Sequence, residues 1–284
     1  MIKVVNHIPE IREIINNWKS QGFKVGFVPT MGYFHEGHLS LMREAKRLSD
    51  KVVVSIFVNP TQFGPNEDLD KYPRDIKRDI DLAQKVGVDI IFAPDATQMY
   101  DPDFQTWVTV EKLSQGLCGD FRPRHFKGVA TVVTKLFNIV QPDISVFGQK
   151  DYQQLLVIKR LVKDLNMPIE IIGHPIVREK DGLAMSSRNT YLSSKERENA
   201  LSLYKSLIHA KNLIEQGESS PEKVIDEIRN IIESYPLTRI EYIFLGDPEN
   251  LAPYHKQIKK DVLIALAVWV GNTRLIDNII IKIS

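Results

Sequence analysis

Short apolar runs at residues 25–28, 52–58, 90–92, 144–147 and 169–172 alternate with segments whose apolar residues recur at helical spacing, around 39–48, 76–86, 129–140 and 152–165. Runs of this length and near-continuous apolarity suit strands buried on both faces. A helix between successive strands returns the chain to the same end of the sheet, so the alternation predicts a parallel sheet covered on both sides. In such α/β sheets ligands bind beyond the carboxyl ends of the strands, which directs attention to the loops after residues 28, 58 and 147.

After about residue 180 the pattern changes. Two helix-like stretches, 194–216 and 221–234, precede three strand-like runs at 240–245, 262–270 and 275–283. Helices followed by a strand meander predict a smaller α+β domain. Two domains are therefore expected, 1–180 and 181–284. Ser220 is placed to cap the second helix, with Pro221 at its first position.

Composition narrows the class of partner. Among 284 residues, 37 Lys and Arg stand against 36 Asp and Glu, a net charge of +1 that lacks the basic excess of a dedicated nucleic-acid binder. No apolar run approaches the roughly 20 residues that span a bilayer. A single cysteine, Cys118, excludes an internal disulfide framework and fits a reducing compartment. The N-terminus lacks the apolar stretch of a secretory signal. A cytoplasmic protein acting on small molecules, with no nucleic-acid or membrane partner, is expected.

The most informative stretch is Pro29-Thr30-Met31-Gly32-Tyr33-Phe34-His35-Glu36-Gly37-His38, which joins the first apolar run to an amphipathic segment. It reads as strand, tight loop and helix start. A helix N-terminus presents unpaired N–H groups and the positive end of its dipole, so a phosphate chain settles there. Gly32 and Gly37 allow close backbone approach. His35 and His38, three apart, can lie side by side over those phosphates and donate to charge that develops during reaction. A metal site is a weaker reading, because zinc asks for further ligands at suitable spacing. A structural histidine pair at a helix cap is the other alternative.

Similar clusters follow later strands. Asn59 and Gln62, in Val58-Asn59-Pro60-Thr61-Gln62-Phe63-Gly64, offer amide groups suited to hydroxyls and carboxylates at the head of a long polar loop; Asn-Pro and Gly as plain turn punctuation is the equal alternative. Gly148-Gln149-Lys150-Asp151 stands where another strand meets a helix, with Lys150 able to counter phosphate and Asp151 to accept from ribose hydroxyls. Met185-Ser186-Ser187-Arg188 supplies two hydroxyls and a guanidinium, a set suited to a triphosphate. Arg122-Pro123-Arg124-His125-Phe126-Lys127 is either an anion-holding cluster or an exposed charged turn.

Pro-Thr-Met-Gly-x-x-His-x-Gly-His, Phe-Val-Asn-Pro-x-Gln-Phe, Gly-x-Lys-Asp-x-x-Gln and Met-Ser-Ser-Arg-Asn occur in this order between Pro29 and Asn189. In this the chain resembles the pantothenate synthetases, or pantoate–β-alanine ligases. His-x-Gly-His is more distantly similar to the signature of a nucleotidyltransferase superfamily. The resemblance implies a Rossmann-like N-terminal domain, a smaller C-terminal domain that closes over it, and a homodimer. It implies ATP as substrate with Mg2+, and a pantoyl-adenylate intermediate captured by β-alanine to give pantothenate, AMP and pyrophosphate.

Carried over by position, His38 would be the catalytic donor, with His35 and Lys150 also at the phosphates. Met31, Gly32, Tyr33, Phe34, His35, Glu36, Gly37 and His38 would line the ATP site. Gly148, Gln149, Lys150, Asp151, backbone of Val177, Met185, Ser186, Ser187 and Arg188 would complete it. Gln62 and Gln154 would grip pantoate, and Gln62 with Asn59 would touch β-alanine. No set of metal ligands is identified, Asp79 being the one candidate for magnesium. Three rivals remain: another adenylyl-transferring enzyme acting on a phosphorylated substrate, disfavoured by the paired glutamines; an aminoacyl-tRNA synthetase, disfavoured by the short, nearly neutral chain; and an ATP-sensing module without turnover, disfavoured by the retained His35, His38, Lys150 and Arg188.

Overall fold

The computed structural model describes residues 2–65 and 67–283. It divides into two compact units, Met1–Gln149 with Gln153–Pro175, and Lys150–Tyr152 with Ile176–Ser284.

The first unit is built on six strands: β1 (Lys3–Val5), β2 (Val25–Thr30), β3 (Lys51–Ile56), β4 (Ile90–Phe92), β5 (Ile144–Gly148) and β6 (Glu170–His174). They lie in the order β1-β4-β3-β2-β5-β6 with every neighbouring pair parallel. The helices are α1 (Ile8–Ser20), α2 (Glu36–Leu48), α3 (Ile76–Lys85), the short α4 (Ala96–Met99) and α5 (Cys118–Phe121), α6 (His125–Val140) and α7 (Tyr152–Asp164).

Successive residues of the central strands serve different cores, as the pleat requires. Val28, Val52, Val54 and Val146 pack with Leu39, Met42 and Ala45 of α2 and Ala83 of α3. Phe27, Val53 and Phe147 pack on the other face with Ile11 and Ile15 of α1, Val129, Val133 and Phe137 of α6, and Leu155 and Ile158 of α7. This is the doubly covered, Rossmann-like parallel sheet expected from the alternation. The chain turns one way from β2 to β3 and lies on the other side at β5, so the order reverses at the β2/β5 pair. That is the switch point at which such sheets bind ligands.

Four elements were not anticipated: β1, α1 and the one-turn helices α4 and α5. β1 is a three-residue edge strand with Lys3 and Val4 exposed, too short to leave a pattern. α1 carries a legible one, Ile8, Ile11, Ile15 and Trp18, that packs on the sheet. The second strand also ends at Ile56, short of residue 58, because Asn59 turns the chain.

The second unit contains α8 (Ser194–Glu215), α9 (Pro221–Glu233) and an antiparallel meander of β7 (Thr238–Gly246), β8 (Val262–Val270) and β9 (Thr273–Ile281). Ser193 and Glu196 form a reciprocal capping box on α8, and the Ser220 hydroxyl accepts from Lys223 N–H with Pro221 opening α9. Leu203, Leu207 and Ala210 of α8 and Ile228 and Ile232 of α9 pack on alternate residues of β8: Val262, Ile264, Leu266 and Val268. No described helix is long and apolar enough to cross a membrane.

Candidate active site

The loop after β2 delivers the histidines to the start of α2. Its first turn is tied to the neighbouring strand, with the Thr30 hydroxyl donating to the Ser55 carbonyl at 2.7 Å and accepting from Gly32 N–H at 3.1 Å. Gly32 and Tyr33 then take left-handed backbone angles, φ 84° and 53°. A side chain at Gly32 would meet Asp79 Oδ2 and Ile56 Cγ2, each at 3.0 Å from its Cβ. Asp79, on α3, accepts from the N–H groups of both Tyr33 and Phe34 at 2.7 Å. Burial pushes the Asp79 carboxyl above the usual carboxylate range, against the pull of these two donors. Phe34 is fully buried against α2, which anchors the loop from inside.

His35 is the N-cap of α2, and its Nδ1 accepts from Gly37 N–H at 3.1 Å; His38 Nδ1 accepts from His35 N–H at 3.3 Å. The rings lie 4.1 Å apart and 35° from parallel. A ring whose Nδ1 accepts carries its proton on Nε2, so the backbone sets the tautomer of both histidines and leaves each an Nε2–H donor. The cap of α2 thus holds both rings, as the structural alternative weighed from sequence describes. Glu36, at the first position of α2, pairs with Arg43.

The loop after β3 is held differently. Asn59, 1% exposed, donates to Gln62 Oε1 at 3.1 Å and to the Gly128 carbonyl at 3.2 Å, while its own Oδ1 accepts from Thr61 N–H and hydroxyl. Its amide is therefore engaged within the loop, where it shapes the turn that presents Gln62. The Gln62 amide donates to Met31 Sδ at 3.4 Å, joining the two loops. Arg122 Nη2 lies 3.3 Å and His125 Nδ1 3.0 Å from the Gln62 carbonyl. Arg122 also forms a two-pronged pair with Glu67. Burial works to raise the Glu67 carboxyl, but the hydrogen bonds and charge of Arg122 prevail and hold it below the usual range. Within the basic cluster of the sequence, Arg122 and His125 are thus engaged with this loop, whereas Arg124 and Lys127 are exposed. α6 approaches so closely that a Cβ at Gly128 would fall 2.6 Å from the Thr61 carbonyl.

Gly148 ends β5 beside His174, and Gln149 donates to the Gly173 carbonyl at 3.4 Å. Gln154 is half-buried on α7. Its neighbour Gln153, not singled out from sequence, is buried: it donates to the carbonyls of Leu113, Gln115 and Gly116 and accepts from Cys118 N–H. Nothing in its local sequence separates this anchoring role from the adjacent glutamine.

In the second unit, Val177 and Met185 face each other across a hairpin, the Met185 N–H donating to the Val177 carbonyl at 3.0 Å. Ser186 caps the turn Ser187–Tyr191 by accepting from Arg188 N–H, and Ser187 is buried. Asn189 ties this turn to Glu179 and to the Ala184 carbonyl. Arg178 grips the buried carboxylate of Asp277 with two bonds of 2.6 and 2.9 Å and stacks 4.5 Å over Tyr204. The Asn278 amide donates to the Lys150 carbonyl at 2.9 Å. Burial lowers the Lys150 ammonium from the usual lysine range, partly offset by Asp151 and Asp277. Asp151 is exposed. Among the described residues no group of three or more His, Cys, Asp or Glu is arranged to hold a metal, and both oxygens of Asp79, the magnesium candidate, are taken by backbone N–H groups.

Comparison with known proteins places this geometry. The chain is 56% identical over 279 residues to a pantothenate synthetase of Sulfurihydrogenibium sp., covering 98% of this chain and 99% of that protein. It is 55% identical to that of Caldicellulosiruptor saccharolyticus, over 99% of each. The crystal structure of pantothenate synthetase from Thermus thermophilus superposes with a TM-score of 0.93 at 44% identity, covering 98% of this chain and 99% of that one. A pantoate-beta-alanine ligase from Francisella tularensis, solved with β-γ ATP and β-alanine, superposes with a TM-score of 0.81 at 35% identity over 98% and 97%. The sequence profile of the pantoate-beta-alanine ligase family matches residues 3–280, and the chain belongs to that family.

Proposed function

We propose that this chain joins pantoate to β-alanine in an ATP-driven ligation that proceeds through pantoyl adenylate and releases AMP and pyrophosphate. The observation that carries the reading is the stacked His35–His38 pair, 4.1 Å apart at the N-terminus of α2, with both Nδ1 atoms committed to backbone N–H groups. A triphosphate at this helix start meets the positive end of the α2 dipole and two imidazole donors. A pantoate carboxylate oxygen attacks the α-phosphorus while the bond to the bridging oxygen breaks and pyrophosphate leaves with that electron pair. His38 and His35 donate to the charge gathering on the phosphate oxygens. The β-alanine amine then attacks the activated acyl carbon, the bond to the adenylate oxygen breaks, and AMP departs. Activation is needed because a free carboxylate has no good leaving group.

Gln62 and Gln154 hold pantoate, their amides matching hydroxyl and carboxylate groups. Lys150, Ser186, Ser187 and Arg188 counter the triphosphate, Asp151 takes the ribose, and Val177 and Met185 flank the adenine. Residues 1–180 thus act as the ATP- and pantoate-binding domain, and 181–284 as the smaller domain that completes the nucleotide contacts. ATP enters as its magnesium complex, the ion carried by phosphate oxygens; the described residues offer no protein cage for it. The chain works as a cytoplasmic homodimer, as the family resemblance implies and as light scattering of the purified protein tests.

Pantoate-dependent exchange of labelled pyrophosphate into ATP, with magnesium and without β-alanine, tests the first half-reaction. Exchange is expected, followed on β-alanine addition by equal yields of AMP and pantothenate. ATP binding without exchange for pantoate or any other carboxylic acid would instead support a nucleotide sensor.

A further inference from the structure

The loop bearing the histidines is held by a residue that none of the motifs contains. Asp79 is 1% exposed, and its two oxygens accept separately from Tyr33 and Phe34 N–H at 2.7 Å. These donors belong to the turn in which Gly32 and Tyr33 adopt left-handed angles. For tyrosine that conformation is unfavourable unless its surroundings impose it. Two charge-assisted bonds to consecutive N–H groups are a strong means of imposing it. The residue after Phe34 is His35, whose cap fixes the orientation of both rings. Arg78 adds a cation to the same turn, 5.1 Å over the Tyr33 ring.

We propose that Asp79 is a positioning residue for the ligation: by gripping the N–H groups of Tyr33 and Phe34 it fixes the left-handed turn that aims His35 and His38 at the phosphates. The proposal rests on the ligase reading above. It also assigns the carboxylate to the loop and not to the magnesium ion that accompanies ATP. Three features favour that assignment: near-complete burial, engagement of both oxygens, and packing so close that a Gly32 Cβ would lie 3.0 Å from Oδ2.

Asp79→Asn retains the shape of the side chain, removes its charge, and turns an NH2 group toward one of the two donors. We expect kcat for pantoate-dependent pyrophosphate exchange to fall about 10- to 100-fold, as for a misaimed catalytic group. KM for ATP and the magnesium concentration giving half-maximal rate should change far less. In 15N–1H spectra of the substrate-free protein, the Tyr33 and Phe34 amide protons should move upfield as the charged acceptor is lost. Unchanged kcat, unchanged amide shifts, or a rate restored by added magnesium would each overturn the proposal. Should Asp79→Asn not fold, Gly32→Ala strains the same turn from the loop side and is expected to lose kcat similarly; normal kcat there overturns it too. The spectra need no substrate, so a wild-type chain inactive with pantoate would sink the ligase reading while leaving the clamp to be decided by the amide shifts.

Discussion

The loops after β2 and β3 begin side by side, with Thr30 and Ile56 paired in register at the ends of adjacent parallel strands. They are held by opposite chemistries. The first turns N–H groups inward from a left-handed turn and is gripped there by a carboxylate, Asp79. The second presents a carbonyl, that of Gln62, flanked by the guanidinium of Arg122 and the imidazole of His125. The difference follows from what each loop has to offer its anchor. A left-handed turn points successive N–H groups away from main-chain acceptors, so its anchor must accept. The Gln62 loop anchors through its main-chain oxygen, while the Gln62 side chain accepts from Asn59 and donates to Met31 Sδ.

The comparison can be broken at its strongest point first. If the donor loop carries the chemistry, His38→Ala should lower pyrophosphate exchange by roughly 100-fold or more with the fold intact; near-normal turnover would remove the catalytic role from this loop. If the acceptor loop carries substrate recognition, Gln62→Ala should raise the apparent KM for pantoate about 10- to 100-fold, with a smaller effect on ATP. A defect confined to ATP would erase the distinction between the loops.

Arg122→Ala removes the grip while leaving Gln62 in place. It should raise the pantoate KM about three- to tenfold, the equivalent of roughly 1 kcal/mol. Combined with Gln62→Ala it should add little, because both act through one group; full additivity in the double variant would show that Arg122 works elsewhere. Acid gives the mildest probe. The Glu67 carboxyl lies below its ordinary value of 4.5 when folded. Its pairing with Arg122 therefore contributes fully above that value and is lost as pH falls through the folded one. The stability gap between wild type and Arg122→Ala should narrow below about pH 4.5, measured by urea unfolding; a constant gap down to about pH 3 would mean the ion pair contributes nothing.

The two loops also mark where sequence reading succeeds and stops. Their positions were legible because an apolar run followed by Gly, Asn or Pro and then an amphipathic segment has a local signature, and so were the histidines, three residues apart on one helical turn. The anchors were not. Asp79 lies 45 residues from Phe34 and Arg122 lies 60 from Gln62; both stood out, one as a magnesium candidate and one in a basic cluster, but nothing in their neighbours names the loops they hold. Asn59 illustrates the same limit from inside a motif: its amide suits a ligand or a turn equally, and its bond to the Gly128 carbonyl 3.2 Å away, 69 residues on, is not written in the local sequence. In the second unit the strand meander and the Ser220 cap were readable, whereas the Arg178–Asp277 pair joins residues 99 apart.

The tautomer imposed on the two histidines settles a question of proton traffic. With each Nδ1 accepting from the backbone and each Nε2 carrying hydrogen, neither ring has a lone pair to spare for the incoming ammonium group. On the proposed ligase reading, the histidines would therefore serve the first half-reaction as donors, and the proton shed by β-alanine before its nitrogen attacks would go to an acceptor other than these two rings.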